Sequence, residues 1–270
     1  MIELDSKKRM SASDLCINRG FRVIVKDLSI QLKIGELVGV LGPNGAGKST
    51  LLCALSGECS VSGGSLFMNG TLLDTLSIKD QARKRAVLPQ HCILTFNLAV
   101  SEVVQMGAYA YPEANPEQVH AWVNDCLFDL DLLQLAQSNY MELSGGQQQR
   151  VQLARVLVQA YAIAQYQGHA WILLDEPSSS LDPRHQQLLI KKIHELTRTK
   201  NFGVIVIMHD LNLAAFWFDR LLLMKQGALI VEGTPIKTLT ADNLFECFDI
   251  PMHVLPHPLN KEKIVVVTGQ

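Results

Sequence analysis

Several things are scarce in these 270 residues, and each absence excludes something. Neither sign of charge dominates. With 24 Lys and Arg against 26 Asp and Glu, bulk electrostatics gives no reason to expect nucleic acid or an anionic membrane surface as partner. The six cysteines, Cys16, Cys53, Cys59, Cys92, Cys126 and Cys247, are scattered without C-x-x-C spacing. That pattern predicts small buried thiols of a reducing cytosol rather than a metal cluster or a disulfide framework. The opening Met1-Ile2-Glu3-Leu4-Asp5 lacks a basic stretch followed by a hydrophobic one, so no secretion signal is expected. No apolar run approaches the length needed to cross a bilayer, so work at a membrane would require a partner to hold the chain there. Repeats and low-complexity segments are also missing.

What is present is organised around Gly42-Pro43-Asn44-Gly45-Ala46-Gly47-Lys48-Ser49-Thr50. This stretch follows the apolar run Leu37 to Leu41 and precedes Leu51 to Leu55, which reads as the first turns of a helix. Strand, glycine loop and helix form the context in which G-x-x-x-x-G-K-[ST] binds phosphate. Small residues let backbone N–H groups face inward as an anion nest, and the helix N-terminus adds its partial positive charge. Lys48 can reach the β- and γ-phosphates, and the Ser49 hydroxyl can sit on Mg²⁺. The chain is therefore expected to bind a nucleoside triphosphate.

Around that loop the pattern is α/β. Residues 1 to 12 are polar and expected to fray. From Val23 to Ile34 apolar residues alternate, with a disturbance at Lys26-Asp27, predicting a strand covered on one face and an antiparallel start to the fold. Ser65 to Met68 reads as a strand ending in a turn at Asn69-Gly70. Beyond Gln90 the texture becomes helical: Val100 to Met106 is a short helix candidate, and Asn115-Pro116-Glu117 starts another. Trp122 is expected there as a core anchor. With no parallel-sheet strand between about Gln90 and Met141, this reads as a helical insert in an α/β core. A long helix starts near Ser144, Trp171 to Leu174 and Val204 to Met208 read as buried strands, and Asp182-Pro183 and Asp210-Leu211 open further helices. Leu221 to Met224 and Leu229 to Glu232 read as a hairpin turning at Gln226-Gly227.

The chemistry gathers at strand ends. Asp175 and Glu176 close the apolar strand Trp171 to Leu174, where ligands of open α/β sheets collect. Successive strand side chains face opposite ways, so Asp175 is assigned to Mg²⁺ and Glu176 to polarising the water that attacks the γ-phosphate. Gln90 can bring an amide oxygen to Mg²⁺ or its water, and His209, ending the strand Val204 to Met208, can hydrogen-bond the γ-phosphate. Leu143-Ser144-Gly145-Gly146-Gln147 forms a second anion site, a helix start with Ser144 as N-cap. One nucleotide does not need two helix termini for its terminal phosphate. The economical explanation is a second copy: two chains head to tail, trapping two ATP molecules between the phosphate loop of one and Ser144-Gly145-Gly146 of the other.

In this order, and over most of the chain, Gly42 to Thr50, Gln90, Leu143 to Gln147, Leu174 to Pro177, Ser180-Leu181-Asp182 and His209 resemble the Walker A, Q-loop, signature, Walker B, D-loop and switch histidine of ABC transporter ATPase subunits. The resemblance implies a P-loop ATPase using ATP and Mg²⁺, with a mostly parallel core sheet, an N-terminal antiparallel β subdomain and an inserted helical subdomain. Residues 1–270 would be one ABC ATPase domain. Within it, 1–89 and 165–270 would form the RecA-like core with the β subdomain, and 90–164 the helical subdomain carrying the signature. It also implies an ATP-dependent homodimer with Asp182 at its seam, two copies of an integral-membrane permease, a periplasmic substrate-binding protein and the cytoplasmic face of a bacterial inner membrane. Nucleic acid is not implied.

One position departs from the family. Its adenine-stacking aromatic is replaced here by Arg19, in Asn18-Arg19-Gly20-Phe21, so base contact would fall to the Arg19 guanidinium or to Phe21. The stretches Arg85 to Gln90, Leu143 to Arg155 and His209 to Ala215, the long link from Ala160 to Ala170, and the tail His257 to Asn260 are most similar to hemin-importer ATPases of bacterial iron acquisition. Importers of ferric siderophores and cobalamin are the nearby alternative. Soluble ABC-type ATPases acting on DNA or ribosomes are a distant one, since neither a long coiled coil nor a second cassette is present. His253 and His257 are read as Pro-flanked surface histidines rather than heme ligands.

Overall fold

The computed structural model describes residues 8–90, 92 and 94–268. It divides into two compact units, 1–76 with 205–270, and 77–204.

The first unit begins with an antiparallel sheet in the order β2, β1, β4, β5, formed by β1 (Arg9–Arg19), β2 (Arg22–Lys33), β4 (Gly63–Met68) and β5 (Thr71–Leu72). The expected fraying is corrected here for residues 9–12, which lie in β1 with Met10 and Ala12 buried; residues 1–7 are outside the described residues. A parity switch hides this strand in the sequence. The buried residues are Met10 and Ala12, then Leu15 and Ile17, and the step between them falls at Asp14, which has φ 49°. Its partner β2 switches likewise, from Val25 to Leu28, Ile30 and Leu32, with φ 47° at Asp27. Register shifts lie between Ala12 and Leu15 and between Leu15 and Ile17, so each bulge returns apolar side chains to the same face. The disturbance at Lys26-Asp27 is this bulge. β3 (Leu37–Leu41), buried at all five residues, then leads into helix α1 (Lys48–Leu55).

The second unit opens with α2 (Ile78–Ala82) and β6 (Arg85–Leu88). Helices α3 (Val100–Gln105), α4 (Pro116–Asp129) and α5 (Gly145–Gln167) follow, then β7 (Ala170–Asp175) and α6 (Pro183–Thr199). β6 and β7 pair in parallel, Arg85 opposite Trp171 through Leu88 opposite Leu174. Among the described residues between β6 and α5 there is no strand, only an isolated antiparallel bridge between Ala99 and Asn139. The Asn115 side chain accepts the Glu117 N–H at 2.9 Å, with Pro116 in the first helical turn, as the start signal predicts. Trp122 is corrected: it is half-buried, flanking the stripe Val119, Val123, Cys126 and Leu127 that α4 turns inward.

The division between the units falls after Val204, inside the single strand β8 (Phe202–Ile207). The first unit then resumes with α7 (Leu211–Trp217), β9 (Arg220–Lys225) and β10 (Ala228–Gly233). β9 runs parallel to β3 and antiparallel to β10, the hairpin turning at Gln226-Gly227 as expected. Short helices α8 (Pro235–Thr238) and α9 (Ala241–Phe248) precede a closing hairpin, β11 (Met252–His257) with β12 (Asn260–Thr268). The Asn212 amide ties that hairpin to α7, donating to the Val266 carbonyl at 3.1 Å and accepting its N–H at 2.7 Å. His257 is half-buried, not merely a surface residue: its Nδ1 accepts the N–H groups of Leu259 and Asn260, each at 3.2 Å.

All six cysteines are free, but only Cys126 and Cys247 are buried, which corrects the expectation for the other four. Burial pushes the Cys126 thiol well above its ordinary range and that of Cys247 up to about 11.

Trp171, fully buried in β7, is the largest side chain in the core of the second unit. Trp171→Ala should lower stability by about 3–5 kcal/mol, read as an earlier urea midpoint with the slope retained.

Candidate active site

In the first unit, the loop from Gly42 to Thr50 leaves β3 and enters α1. Gly42 and Gly47 hold φ of 148° and 97°, and neighbouring backbone crowds both. A Cβ on Gly42 would lie 2.1 Å from the Met224 carbonyl oxygen, and one on Gly47 2.9 Å from that of Ile24. The Gln226-Gly227 turn closes the arrangement. Gly227 donates its N–H to the Ala46 carbonyl at 3.0 Å, and its own carbonyl accepts the Lys26 N–H at 3.0 Å. Three segments, β2, the loop and the β9–β10 turn, are thus joined backbone to backbone with no side chain between them.

Lys48 is buried, and its Nζ donates to the carbonyls of Gly42 and Pro43 at 2.8 and 2.9 Å. Ser49 is exposed, while Thr50 is turned inward. His209 is exposed just beyond β8; the Met208 N–H donates to the Val40 carbonyl at 3.3 Å, which sets His209 beside the end of β3, where the loop begins. Arg19 ends β1, and its charge is felt by the Cys59 thiol, which points at the Thr50 carbonyl across 3.9 Å. Burial, followed by the neighbouring Cys53, pushes that thiol up to about 12. Phe21 is fully exposed in the β1–β2 turn.

In the second unit, residues far apart in sequence line one cavity of about 480 Å³, among them Gln90, Tyr140, Gly145, Gln149, Glu176 and Ser180. Gln90, Gly145, Glu176 and Ser180 were singled out from the sequence. Asp175 ends β7 and is buried, whereas Glu176 is half-buried with φ 49°. Ser144 and Gln147 form a reciprocal cap: Gln147 N–H donates to Ser144 Oγ at 3.4 Å, and Ser144 N–H to Gln147 Oε1 at 2.9 Å. The two glycines differ. A Cβ on Gly146 would come within 3.0 Å of the Ser180 carbonyl oxygen, while one on Gly145 would meet open space. The Leu143 side chain is half-buried at the cap.

From Ser178 to Asp182 the chain turns into α6. Gln186 Nε2 donates to the carbonyls of Ser178 and Leu181, at 3.0 and 2.9 Å. Asp182 caps the helix, accepting the His185 N–H at 3.0 Å with one oxygen and meeting His185 Nδ1 at 2.6 Å with the other. The backbone bond, then the ring contact, hold the Asp182 carboxyl below its ordinary range.

Sequence reading missed the polar stripe on α5. Gln148, Gln152, Arg155 and Gln159 recur at i, i+4, i+7 and i+11 among the apolar residues of the helix, and that spacing was the available signal. Gln148 Nε2 reaches the Tyr140 carbonyl at 3.1 Å, and Gln152 Nε2 the Tyr140 hydroxyl at 3.0 Å. Gln152 Oε1 accepts from Arg155 Nε at 2.9 Å and from the Cys92 thiol at 3.3 Å. Gln159 Nε2 donates to the carbonyls of Ala82 and Arg85, at 3.0 and 3.2 Å. The stripe therefore pins the start of β6, Cys92 and the Tyr140 turn to one helix.

Three comparisons bear on this geometry. Residues 25–179 match the ABC transporter family. The chain is 46% identical over 258 residues to the hemin import ATP-binding protein of Bordetella avium (strain 197N), covering 96% of this chain and 98% of that one. It is 40% identical to the protein of the same name from Hydrogenovibrio crunogenus, over 95% of this chain and 99% of that one. Among solved structures, a transporter described as of the metal-chelate type, in an inward-facing conformation, matches with TM-score 0.79 and 25% identity, covering 98% of each chain. A dimeric ATP-binding cassette bound to ADP and Pi shares the fold with TM-score 0.72 at 24% identity, over 84% of this chain and 98% of that one.

The crowding at Gly47 gives a direct test. Gly47→Ala forces a Cβ against the Ile24 carbonyl at a positive φ, a strain of order 1–3 kcal/mol before any clash. It should weaken binding of a fluorescent ATP analogue about tenfold or more, measured by titration, with the far-ultraviolet circular dichroism unchanged.

Proposed function

Since the chain belongs to the ABC transporter family, we propose that it is the ATP-hydrolysing subunit of a bacterial importer that takes up hemin. The observation that carries the cargo is the 46% identity, across 96% of the chain, to a hemin import ATP-binding protein. The whole of 1–270 acts as one ATPase domain, with 90–164 as its helical, signature-bearing part.

The substrate is ATP. Backbone N–H groups of the loop from Gly42 to Thr50 hold its phosphates, Lys48 reaches the β- and γ-oxygens, and His209 bonds the γ-phosphate. Arg19, in place of an aromatic residue, meets the base through its guanidinium plane. Ser49, Asp175 and Gln90 offer a hydroxyl, a carboxylate and an amide carbonyl, hard oxygen donors of the kind Mg²⁺ takes. When bound, Mg²⁺ would neutralise charge developing between the β- and γ-phosphates. Glu176 accepts a hydrogen bond from the water that attacks the γ-phosphorus and orients it in line with the leaving oxygen. Support for that role comes from its place in the cavity it shares with Gln90.

The signature from Leu143 to Gln147 serves the nucleotide of a second copy. Gly145 fits this, since nothing beyond its chain neighbours and its own helix turn lies within 4 Å of where its side chain would be. ATP then draws two chains together, Ser180, Leu181 and Asp182 lie at the seam, and hydrolysis releases them. No helix among the described residues is long and apolar enough to cross a membrane. The chain sits at the cytoplasmic face of the inner membrane by docking on two permease copies, which receive cargo from a periplasmic binding protein.

The likeness to a transporter of the metal-chelate type favours a second cargo reading, ferric siderophore or cobalamin. Reconstitution with the permease separates the two: hemin-loaded binding protein should raise ATP turnover, whereas siderophore- or cobalamin-loaded protein should not, and the reverse result would reassign the cargo. Glu176→Gln should cut hydrolysis roughly 100-fold or more while retaining ATP, so that the variant runs as a dimer with ATP and as a monomer without it on size-exclusion chromatography.

A further inference from the structure

Glu176 holds φ 49°, a left-handed conformation uncommon for a residue with a side chain, and its neighbours must keep it there. One side chain holds both ends of the turn. Gln149 Nε2 donates to the Glu176 carbonyl at 2.9 Å, and Gln149 Oε1 accepts the Ser180 N–H at 3.1 Å. The Glu176 carbonyl is also met by Ser179, through its hydroxyl at 3.1 Å and its N–H at 3.3 Å. A primary amide presents a donor and an acceptor side by side whatever the pH; leucine has neither, and ionised glutamate has acceptors alone.

Gln149 lies one helical turn beyond Gly145 on α5, and both line the cavity with Glu176. A shift of the signature turn therefore moves the group that fixes the backbone of Glu176. We propose that Gln149 is the positioning residue for Glu176, holding the carboxylate in the cavity and tying its aim to the placement of the signature turn. This rests on the reading of Glu176 as the water-orienting carboxylate. Gln149 makes no contact with substrate; it acts through the backbone at 176 and 180.

Two variants separate the two ends of the amide. Gln149→Leu loses both bonds. Gln149→Glu keeps an acceptor for the Ser180 N–H but sets an oxygen against the Glu176 carbonyl. In the full chain bound to its permease, both should lower kcat about ten- to a hundredfold, with the KM for ATP within threefold of wild type. Amide hydrogen exchange at Ser180 should quicken in Gln149→Leu and stay at the wild-type rate in Gln149→Glu. A merely structural glutamine would leave kcat intact in the glutamate variant, which still holds the Ser180 end of the turn. Either folded variant turning over within twofold of wild type, or losing ATP affinity in place of kcat, overturns the proposal. Should the leucine variant fail to fold, the glutamate variant decides alone. Glu176→Gln runs beside them: if it hydrolyses ATP within tenfold of wild type, the reading of Glu176 itself fails, whereas a dead Glu176→Gln with unaffected Gln149 variants sinks only the positioning role.

Discussion

Backbone pressed against backbone, with no room for a side chain, is the constraint on which the first unit depends. Gly47 lies under the Ile24 carbonyl, Gly42 under that of Met224, and Gly227 bonds Ala46 while passing the Lys26 amide into its own carbonyl. A loop that must turn its N–H groups toward an anion cannot satisfy them internally and needs its shape fixed from outside. Here β2 and the β9–β10 turn do the fixing. The Gln226-Gly227 dipeptide is thus more than a hairpin turn; it is the outer wall of the phosphate loop.

The second unit solves a related problem with amides. Helix α5 buries one apolar face, and its glutamines reach backbone carbonyls in the start of β6, the Tyr140 turn and the Glu176 turn. A glutamine side chain copies the peptide group, one donor and one acceptor, so it substitutes for a missing ladder partner where irregular chain is packed on a helix. Each such bond is modest by itself, about 1 kcal/mol net. Their value lies in fixing register between a rigid rod and the turn that carries Glu176 and Ser180.

Much of this was legible from the residues alone because the informative groups are contiguous. The phosphate loop, the acidic pair after an apolar strand and the proline-started helices each declare themselves within ten residues. What stayed hidden was non-local. β1 was illegible because the bulge at Asp14 breaks its alternation, and only pairing with the matching bulge at Asp27 restores it. The closing hairpin was missed because it buries little, Met252 and Val266 being its fully inward residues. Gln149 was visible as a letter in a familiar motif, but its partners lie 27 and 31 positions away.

The bidentate grip of Asn212 on Val266 gives the C-terminal strand pair a standing it would not have as an appendage. The helix that follows His209 begins on one side of that amide, and the last strand ends its run on the other. Removing the final twenty or so residues would therefore not shorten a free end; it would leave the Asn212 amide stranded three positions after His209, and any cargo fused to this chain belongs beyond the hairpin rather than in its place.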